Sequence, residues 1–419
     1  MAIDVEAGAT GRWGRVGVPL MIGLFVAYLD RTNLSIAIPG IADNLGFATK
    51  DFPVKASLAL TVFLAGYALA NLIGGIATRS MSARVVVISM VALWSIVTIL
   101  TGMYLTLGLL VFYRLVLGLA EGVYWPQQSR FARAWFSNRE LSRGNAVIQF
   151  YGQELALAVG FITLTPLYTA FGWQVLFYVT GGLGLVVVVP LYIVLLRDRP
   201  ESAAHETVVT QAREPLTLAA LGGSRFLLLL LSYLCQGMLF WGITLWIPLA
   251  VKSLDFTGSA AGAASAAPYF ATILLAIPMT MLSDRTGHRS VIAAIGQIGP
   301  GLVLVALPIA PGGAFKLLLI IVAMSWYGSS YTPNIWAIIQ TSVPSYAVSG
   351  AAGIINGIGA GGGGLIAGWV VGLLLAKTGS YIPGFTALGV FSVIGGVSLL
   401  AHGRLQIRSR AATPMEGIA

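Results

Sequence analysis

The chain has 419 residues, 57% hydrophobic and only 9% charged, with a formal net charge of +9. A soluble globular protein carries about 25% charged residues. This composition, with a mean hydropathy of +0.86, excludes a water-covered domain and predicts an integral membrane protein. Its basic residues lie singly or in pairs in short loops, a distribution that excludes a nucleic-acid partner.

Residues 1–16 are polar, and no small-residue cleavage site follows the first apolar run. That run therefore reads as a retained helix rather than a removable signal. Crossing a bilayer core takes about 20 mostly apolar residues per helix. Apolar runs between turn signals predict twelve, near 16–39, 54–77, 83–103, 105–128, 143–166, 172–196, 224–250, 258–282, 289–310, 314–340, 347–374 and 380–403. Between the sixth and seventh lies the one long polar stretch, beginning RDRPESAAHETVV at Arg197. The expected organisation is a six-helix bundle over 1–196, a cytoplasmic linker over 197–223 and a second six-helix bundle over 224–419.

Seventeen arginines fall in loops on the N-terminal side of the membrane, and all five lysines fall on the other. By the positive-inside rule both termini are cytoplasmic, as an even helix count requires. Arg130, Arg133, Arg139 and Arg143 cluster on that side and read as topology and gate residues.

The two halves resemble each other at a nearly constant offset. TRSMSAR (78–84) corresponds to DRTGHR (284–289), YWP (124–126) to YTP (331–333), and SRGNAVIQF (142–150) to VSGAAGIIN (348–356). A parallel repeat of two six-helix units is an architecture of secondary transporters. The loop pair places Arg79 opposite Arg285, whereas Asp284 has Thr78 as its counterpart.

Five ionisable groups fall well inside the predicted helices: Asp30, Arg31, Arg114, Glu121 and Glu154, all in the N-terminal half. A charge at a helix centre costs about 2.5–3.5 kcal/mol on insertion scales, so these should face the bundle interior. Arg114 and Glu121 are two turns apart on one helix face, about 10 Å along the axis. Asp30 and Arg31 are adjacent and diverge by about 100°, so each needs a partner elsewhere. Asp30 with Arg114 is the expected cross-helix pair. Gly118 and Gly122 should let a neighbouring helix approach that face closely. The competing account is that such pairs only fix helix register, but buried ion pairs are weak devices for stability.

Two guanidiniums in a low-dielectric cavity suit a carboxylate or phosphate ligand, because the planar fork matches its oxygens bidentately. Burial raises a carboxylate's affinity for a proton and a nearby guanidinium lowers it. An arginine that moves onto a substrate would therefore couple anion binding to proton uptake. The C-terminal half can add only polar or aromatic groups, with Tyr331, Asn334, Trp336 and Asn356 as candidates. The glycines between Gly350 and Gly372 make the eleventh helix thin and easily bent. Cys235 is the only cysteine and reads as a packed apolar residue. His205, His288 and His402 lie in or near cytoplasmic loops, so no metal, cofactor or enzymatic centre is expected.

YLDRTNLSIA in the first helix, RLVLGLAEGVYWP followed by WFSNRELSRG, and RDRPESA at the linker together resemble the major facilitator superfamily. More narrowly they resemble its anion:cation symporter branch, which includes bacterial sugar-acid and aromatic-acid importers and vesicular glutamate and sialic acid transporters. The resemblance spans the whole chain. It implies coupling protons on Asp30 and Glu121 and a substrate carboxylate held by Arg31 and Arg114. It further implies that Tyr28, Gln153, Trp336 and Asn356 line the rest of the ligand. The superfamily's loop motif places gating roles on Arg79, Asp284 and Arg285, and its usual aspartate is absent at Thr78. Glu154 beside Gln153 departs from the sugar-acid pattern and leaves aromatic-acid and dipeptide-like substrates open.

The expectation is thus a monomeric, twelve-helix, all-α transporter of the inner membrane that imports a small organic anion with protons. Its partners are that anion, protons and the lipid bilayer. Exchange of two anions is the rival within transport, although a pure exchanger needs no titrating carboxylate. A non-transporting sensor of the same fold would want a larger soluble region.

Overall fold

The computed structural model describes residues 11–46, 52–103, 106–199, 216–256 and 258–412. Most of the expected linker, together with Lys50, lies outside them. All the regular elements among the described residues are helices, with no strand among them.

The first helix, α1, runs Val18–Asn44 after a π-turn at Trp13–Gly17. It is followed by α2 (Phe52–Ala77), α3 (Ala83–Met103) and α4 (Leu107–Trp135). Helix α5 starts at Leu141–Ala146, widens into a π-turn at Val147–Tyr151 and continues over Gly152–Phe171. Helix α6 repeats that plan, with Trp173–Leu183, a π-turn at Gly184–Val188 and Val189–Leu195. Beyond the linker come α7 (Ser224–Ser253), α8 (Gly258–Thr286) and α9 (Arg289–Val305). Helix α10 breaks at Tyr331 between Gly312–Ser330 and Thr332–Ser342. In α11, Val348–Ile354 leads into a π-helical segment, Ile355–Gly362, and then Gly363–Thr378. The last helix, α12, is Ile382–Ala412.

Every predicted apolar run thus coincides with one helix. Among the described residues, ten helices are long and apolar enough to cross a bilayer, and α5, bent by 42° near Gly160, makes an eleventh if its two parts form one span. The remaining one, α2, contributes the shorter apolar stretch Val62–Ala77. Polarity is distributed as a membrane demands: Val186, Leu274, Ile309 and Trp369 are exposed, while Asp30, Arg114, Glu121 and Glu154 are buried. The protein is a multi-pass membrane protein.

Two sets of close contacts position the site. Helices α2 and α4 meet backbone to backbone, since a Cβ on Gly122 would lie 2.5 Å from the Tyr67 carbonyl oxygen. Small residues permit such a crossing, and it sets Phe63 and Tyr67 of α2 against the charged face of α4. The second set joins the halves of the chain: α2 packs on α11, and α5 on α8 and α10.

Candidate functional site

At the centre, Arg31 of α1 reaches Glu121 of α4. Its Nε donates to Glu121 Oε2 at 2.7 Å, and Nη2 lies 2.6 Å from the same oxygen. The other carboxylate oxygen, Oε1, is buried without a hydrogen-bond partner. Three rings enclose the guanidinium, with Arg31 Cζ 4.3 Å from the centroid of Tyr28, 4.9 Å from Tyr67 and 5.6 Å from Phe63. Aromatic faces stabilise a cation while excluding water from it.

Asp30 does not pair with Arg114. The two neighbours on α1 diverge by about 100°, and Asp30 turns away from α4 toward α3 and α6. Thr98 Oγ1 donates to Asp30 Oδ2 at 3.4 Å, and Asn33 Nδ2 lies 3.5 Å from Oδ1. The same Asn33 amide donates to Thr180 Oγ1 of α6 at 2.9 Å. Asp30 is therefore held by long neutral hydrogen bonds and by no ion pair among the described residues.

Arg114, two turns from Glu121, is only 4% exposed. Its Cζ sits 4.5 Å from the centroid of Phe63, and its Nε has no acceptor. A buried guanidinium without an anion is costly by several kcal/mol. The arrangement can accept one carboxylate-like group.

Gln153 and Glu154 follow the π-turn of α5 directly. Gln153 Nε2 donates to Glu154 Oε1 at 3.1 Å, and Glu154 is 3% exposed. No cation pairs with it among the described residues.

From the C-terminal half, Trp336 stacks on Trp125 of α4, with centroids 6.3 Å apart and an interplanar angle of 24°. Trp125 in turn meets Tyr28, and Trp336 meets Tyr233 of α7 at 5.4 Å. The indole Nε1 of Trp336 is buried and unpartnered. Asn356, inside the π-helical segment of α11, donates to Tyr67 Oη at 2.8 Å and to Asn71 Oδ1 at 2.9 Å. A π-segment at a polar residue is a frequent mark of a functional position. Tyr331 and Asn334 are placed differently. Tyr331 bonds Ser232 Oγ at 2.9 Å and stacks on Tyr327, while Asn334 accepts from Ser283 and donates to the Ser330 carbonyl. Both are occupied in packing α10 against α7 and α8.

The arginine-rich end is closed by two unlike contacts. Asp284 of α8 accepts from the backbone N–H groups of Ser142 (3.2 Å) and Arg143 (3.1 Å) at the start of α5. Its carboxylate also takes Arg143 Nε and Arg289 Nη2, each at 3.1 Å. An acid at a helix N-terminus is favourable because it satisfies free N–H groups. Arg285 beside it is exposed and Arg79 half-buried. Deeper, Asn145 and Gln340 exchange two amide hydrogen bonds of 2.9 Å between α5 and α10. On the α2–α11 side there is no acid. Thr78 instead bonds the Gly74 carbonyl, and Ser349 Oγ donates to the Gly75 carbonyl at 2.8 Å. Replacing Asp284 with alanine should leave the Ser142 and Arg143 amides unbonded, a loss of about 1–3 kcal/mol. Faster hydrogen exchange at those two amides is the expected result, and unchanged exchange would show that Asp284 does not hold this end.

Sequence reasoning did not single out Phe63, Tyr67, Thr98, Trp125, Thr180 or Tyr233. A signal existed for α2, where Phe63, Tyr67 and Asn71 recur at four-residue spacing and so share one helix face. Among the described residues, no three His, Cys, Asp or Glu are grouped so as to hold a metal ion.

A family model described as Major Facilitator Superfamily matches residues 20–262. A probable sulfoacetate transporter of Cupriavidus necator is 25% identical over 400 residues, covering 90% of each chain. A putative tartrate transporter of Agrobacterium vitis is 26% identical over 419 residues, covering 92% of this chain and 89% of its own. Among solved structures, a proton:xylose symporter superposes with a TM-score of 0.77 at 15% identity, covering 94% of this chain and 96% of that one. That last likeness is one of fold.

Proposed function

Because this chain belongs to the Major Facilitator Superfamily, we propose that it is a proton-coupled importer of a small organic anion, such as a sugar acid or another carboxylate. The observation that carries this reading is Arg114, buried with an unpartnered Nε and in no ion pair among the described residues, on the same helix face as the Glu121 that pairs with Arg31. A substrate carboxylate supplies the missing anion. The named substrates of the two bacterial relatives, sulfoacetate and tartrate, are small polar anions of that kind. Glu121 offers one open oxygen and Asp30 has no ion pair, so both carboxyl groups are free to carry protons. When the substrate draws a guanidinium away from Glu121, that carboxyl gains proton affinity. Tyr28, Gln153, Trp336 and Asn356 surround the rest of the ligand. The six-helix bundles 1–196 and 224–419 rock about this centre, with Arg79 after α2 and Asp284 and Arg285 in the last turn of α8 gating the cytoplasmic end. The setting is the inner membrane, where an inward proton gradient gives the direction.

The test is uptake of labelled sugar acids and aromatic acids into proteoliposomes under an inward proton gradient, comparing the unsubstituted protein with Asp30→Asn. Gradient-driven accumulation should fall to background in the variant, while exchange of internal for external substrate persists. Accumulation at the unsubstituted level in Asp30→Asn would remove Asp30 from coupling. Exchange without any gradient dependence in either protein would make it an anion exchanger.

A further inference from the structure

A cavity of about 300 Å³ opens at the arginine-rich end, on the seam between the two halves of the chain. None of the central charged groups lines it. One wall is the α4–α5 loop, with Asn138 and Arg139. The other is the start of α9, with Arg289 and Ser290, and the end of α10, with Thr341. Ile338 is the one aliphatic side chain in the lining, so an acyl chain finds little there to bury against.

The charge lining this space is positive and incompletely used. Arg139 is exposed and makes no hydrogen bond or ion pair among the described residues. Arg289 gives Nε to Ser142 Oγ at 3.0 Å and Nη2 to the Asn138 carbonyl and to Asp284, which leaves Nη1 open among the described residues. Asp284, the one acid in the lining, is already saturated by two backbone N–H groups and two guanidiniums. Helix α9 adds its own N-terminus, because its cap residue His288 makes no side-chain bond to the first turn. Free N–H groups in such a turn favour an anion. Two arginines on opposite walls of one cavity repel each other unless an anion lies between them.

We infer that this cavity is a regulatory site for a small phosphate ester, whose phosphate bridges Arg139 of one half and Arg289 of the other and holds the arginine-rich end closed. The inference goes beyond the organic-anion reading and does not rest on it. A phosphate dianion matches two guanidiniums, its terminal oxygens suit both planar forks, and the remaining volume takes the ester's polar body. The bridge exists only while the halves are together, since parting them carries Arg139 away from α9. A ligand that binds one state better shifts the balance toward it by that difference. The end that opens in each cycle is then held shut, and transport slows as phosphate esters accumulate on that side. A simple salt screens both arginines without linking them.

The test melts the purified protein with glycerol 3-phosphate, with glycerol, with sodium chloride at matched ionic strength, and with phosphatidylglycerol in mixed micelles. Only the soluble ester should raise the melting temperature in step with its concentration. Arg139→Gln should weaken ester binding about five- to tenfold, while Arg114→Met, in the central site, should leave ester binding as it was. In proteoliposomes with the ester on both faces, uptake is compared with each protein's own ester-free rate. It should fall at least about fivefold in the unsubstituted protein, and less in Arg139→Gln at the same concentration. Stabilisation no greater than that of chloride, or untouched by Arg139→Gln, would overturn the site. Ester binding lost in Arg114→Met would overturn it too, by placing the phosphate among the central charges. Stabilisation by phosphatidylglycerol alone would make the occupant a lipid headgroup and overturn the soluble ester. Ester binding that leaves uptake unchanged would overturn the hold on the closed end.

Discussion

Leucine in place of Gly353 should stop transport while leaving the helices folded. A Cβ at Gly353 would collide with the Asn71 carbonyl oxygen, and one at Gly75 would lie 2.5 Å from the Ser349 carbonyl oxygen. Helices α2 and α11 therefore touch along their backbones, where no side chain can turn aside to make room. Overpacking costs about 1–3 kcal/mol, and here it falls on a contact between the two halves of the chain. It penalises the closed form of the arginine-rich end and spares the open one. A differential of that size shifts a two-state balance by about five- to 150-fold. Uptake should fall correspondingly, and spin labels at Arg139 and Thr286, both exposed, should report a wider separation. A variant with full uptake and an unchanged label distance would show that this contact is not part of the transport cycle.

The second large effect is expected at Arg114, and its sign depends on whether ligand is present. Arg114→Met removes a buried cation that makes no ion pair among the described residues and rests on the face of Phe63, a contact worth about 0.5–2 kcal/mol. Desolvation of an unmatched charge outweighs that contact. The empty variant should melt at the same temperature as the unsubstituted protein or higher. Binding of the carboxylate substrate should nevertheless weaken by about thirtyfold or more, since removing one member of a buried charge pair costs at least about 2 kcal/mol. Glu121→Met is the contrasting case. It strips Arg31 of its one ion-pair partner among the described residues and should lower stability by about 3–5 kcal/mol even without ligand. Thermal melts of the two variants, with and without substrate, separate a residue kept for the ligand from one kept for the fold. A destabilised empty Arg114→Met would mean that this arginine is structural.

The helices were legible because hydropathy needs no knowledge of packing: a run of about 20 apolar residues between polar turns has few other fates. The presence of five charged groups in the interior was legible for the same reason. Their pairing was not. Whether Asp30 or Arg31 meets α4 depends on the rotation of α1 about its axis, and one residue's difference is about 100°. The crossing of α2 over α4 was half visible in Gly118 and Gly122, but which helix fills the gap is a tertiary fact. Phe63 and Tyr67 were hidden by ordinariness, since an apolar helix carries aromatics for many reasons. Tyr331 and Asn334 illustrate the reverse. Their polar atoms drew attention, yet each bonds a neighbouring helix, as buried polar groups generally must.

The two closures of the arginine-rich end differ in what they are made of. At α5–α8 the grip is ionic, with Arg143 partly exposed beside Asp284; at α2–α11 it is a fit of glycine against backbone. Dissolved salt screens the first, over a Debye length of about 8 Å at 0.15 M, and does not touch the second. Raising the ionic strength on that side loosens one edge and leaves the other as it was. The end then opens unevenly, swinging about α2–α11 as a hinge rather than parting along its whole rim. Osmotic stress that concentrates salt on that side of the membrane would in the same act shift this protein toward its open form.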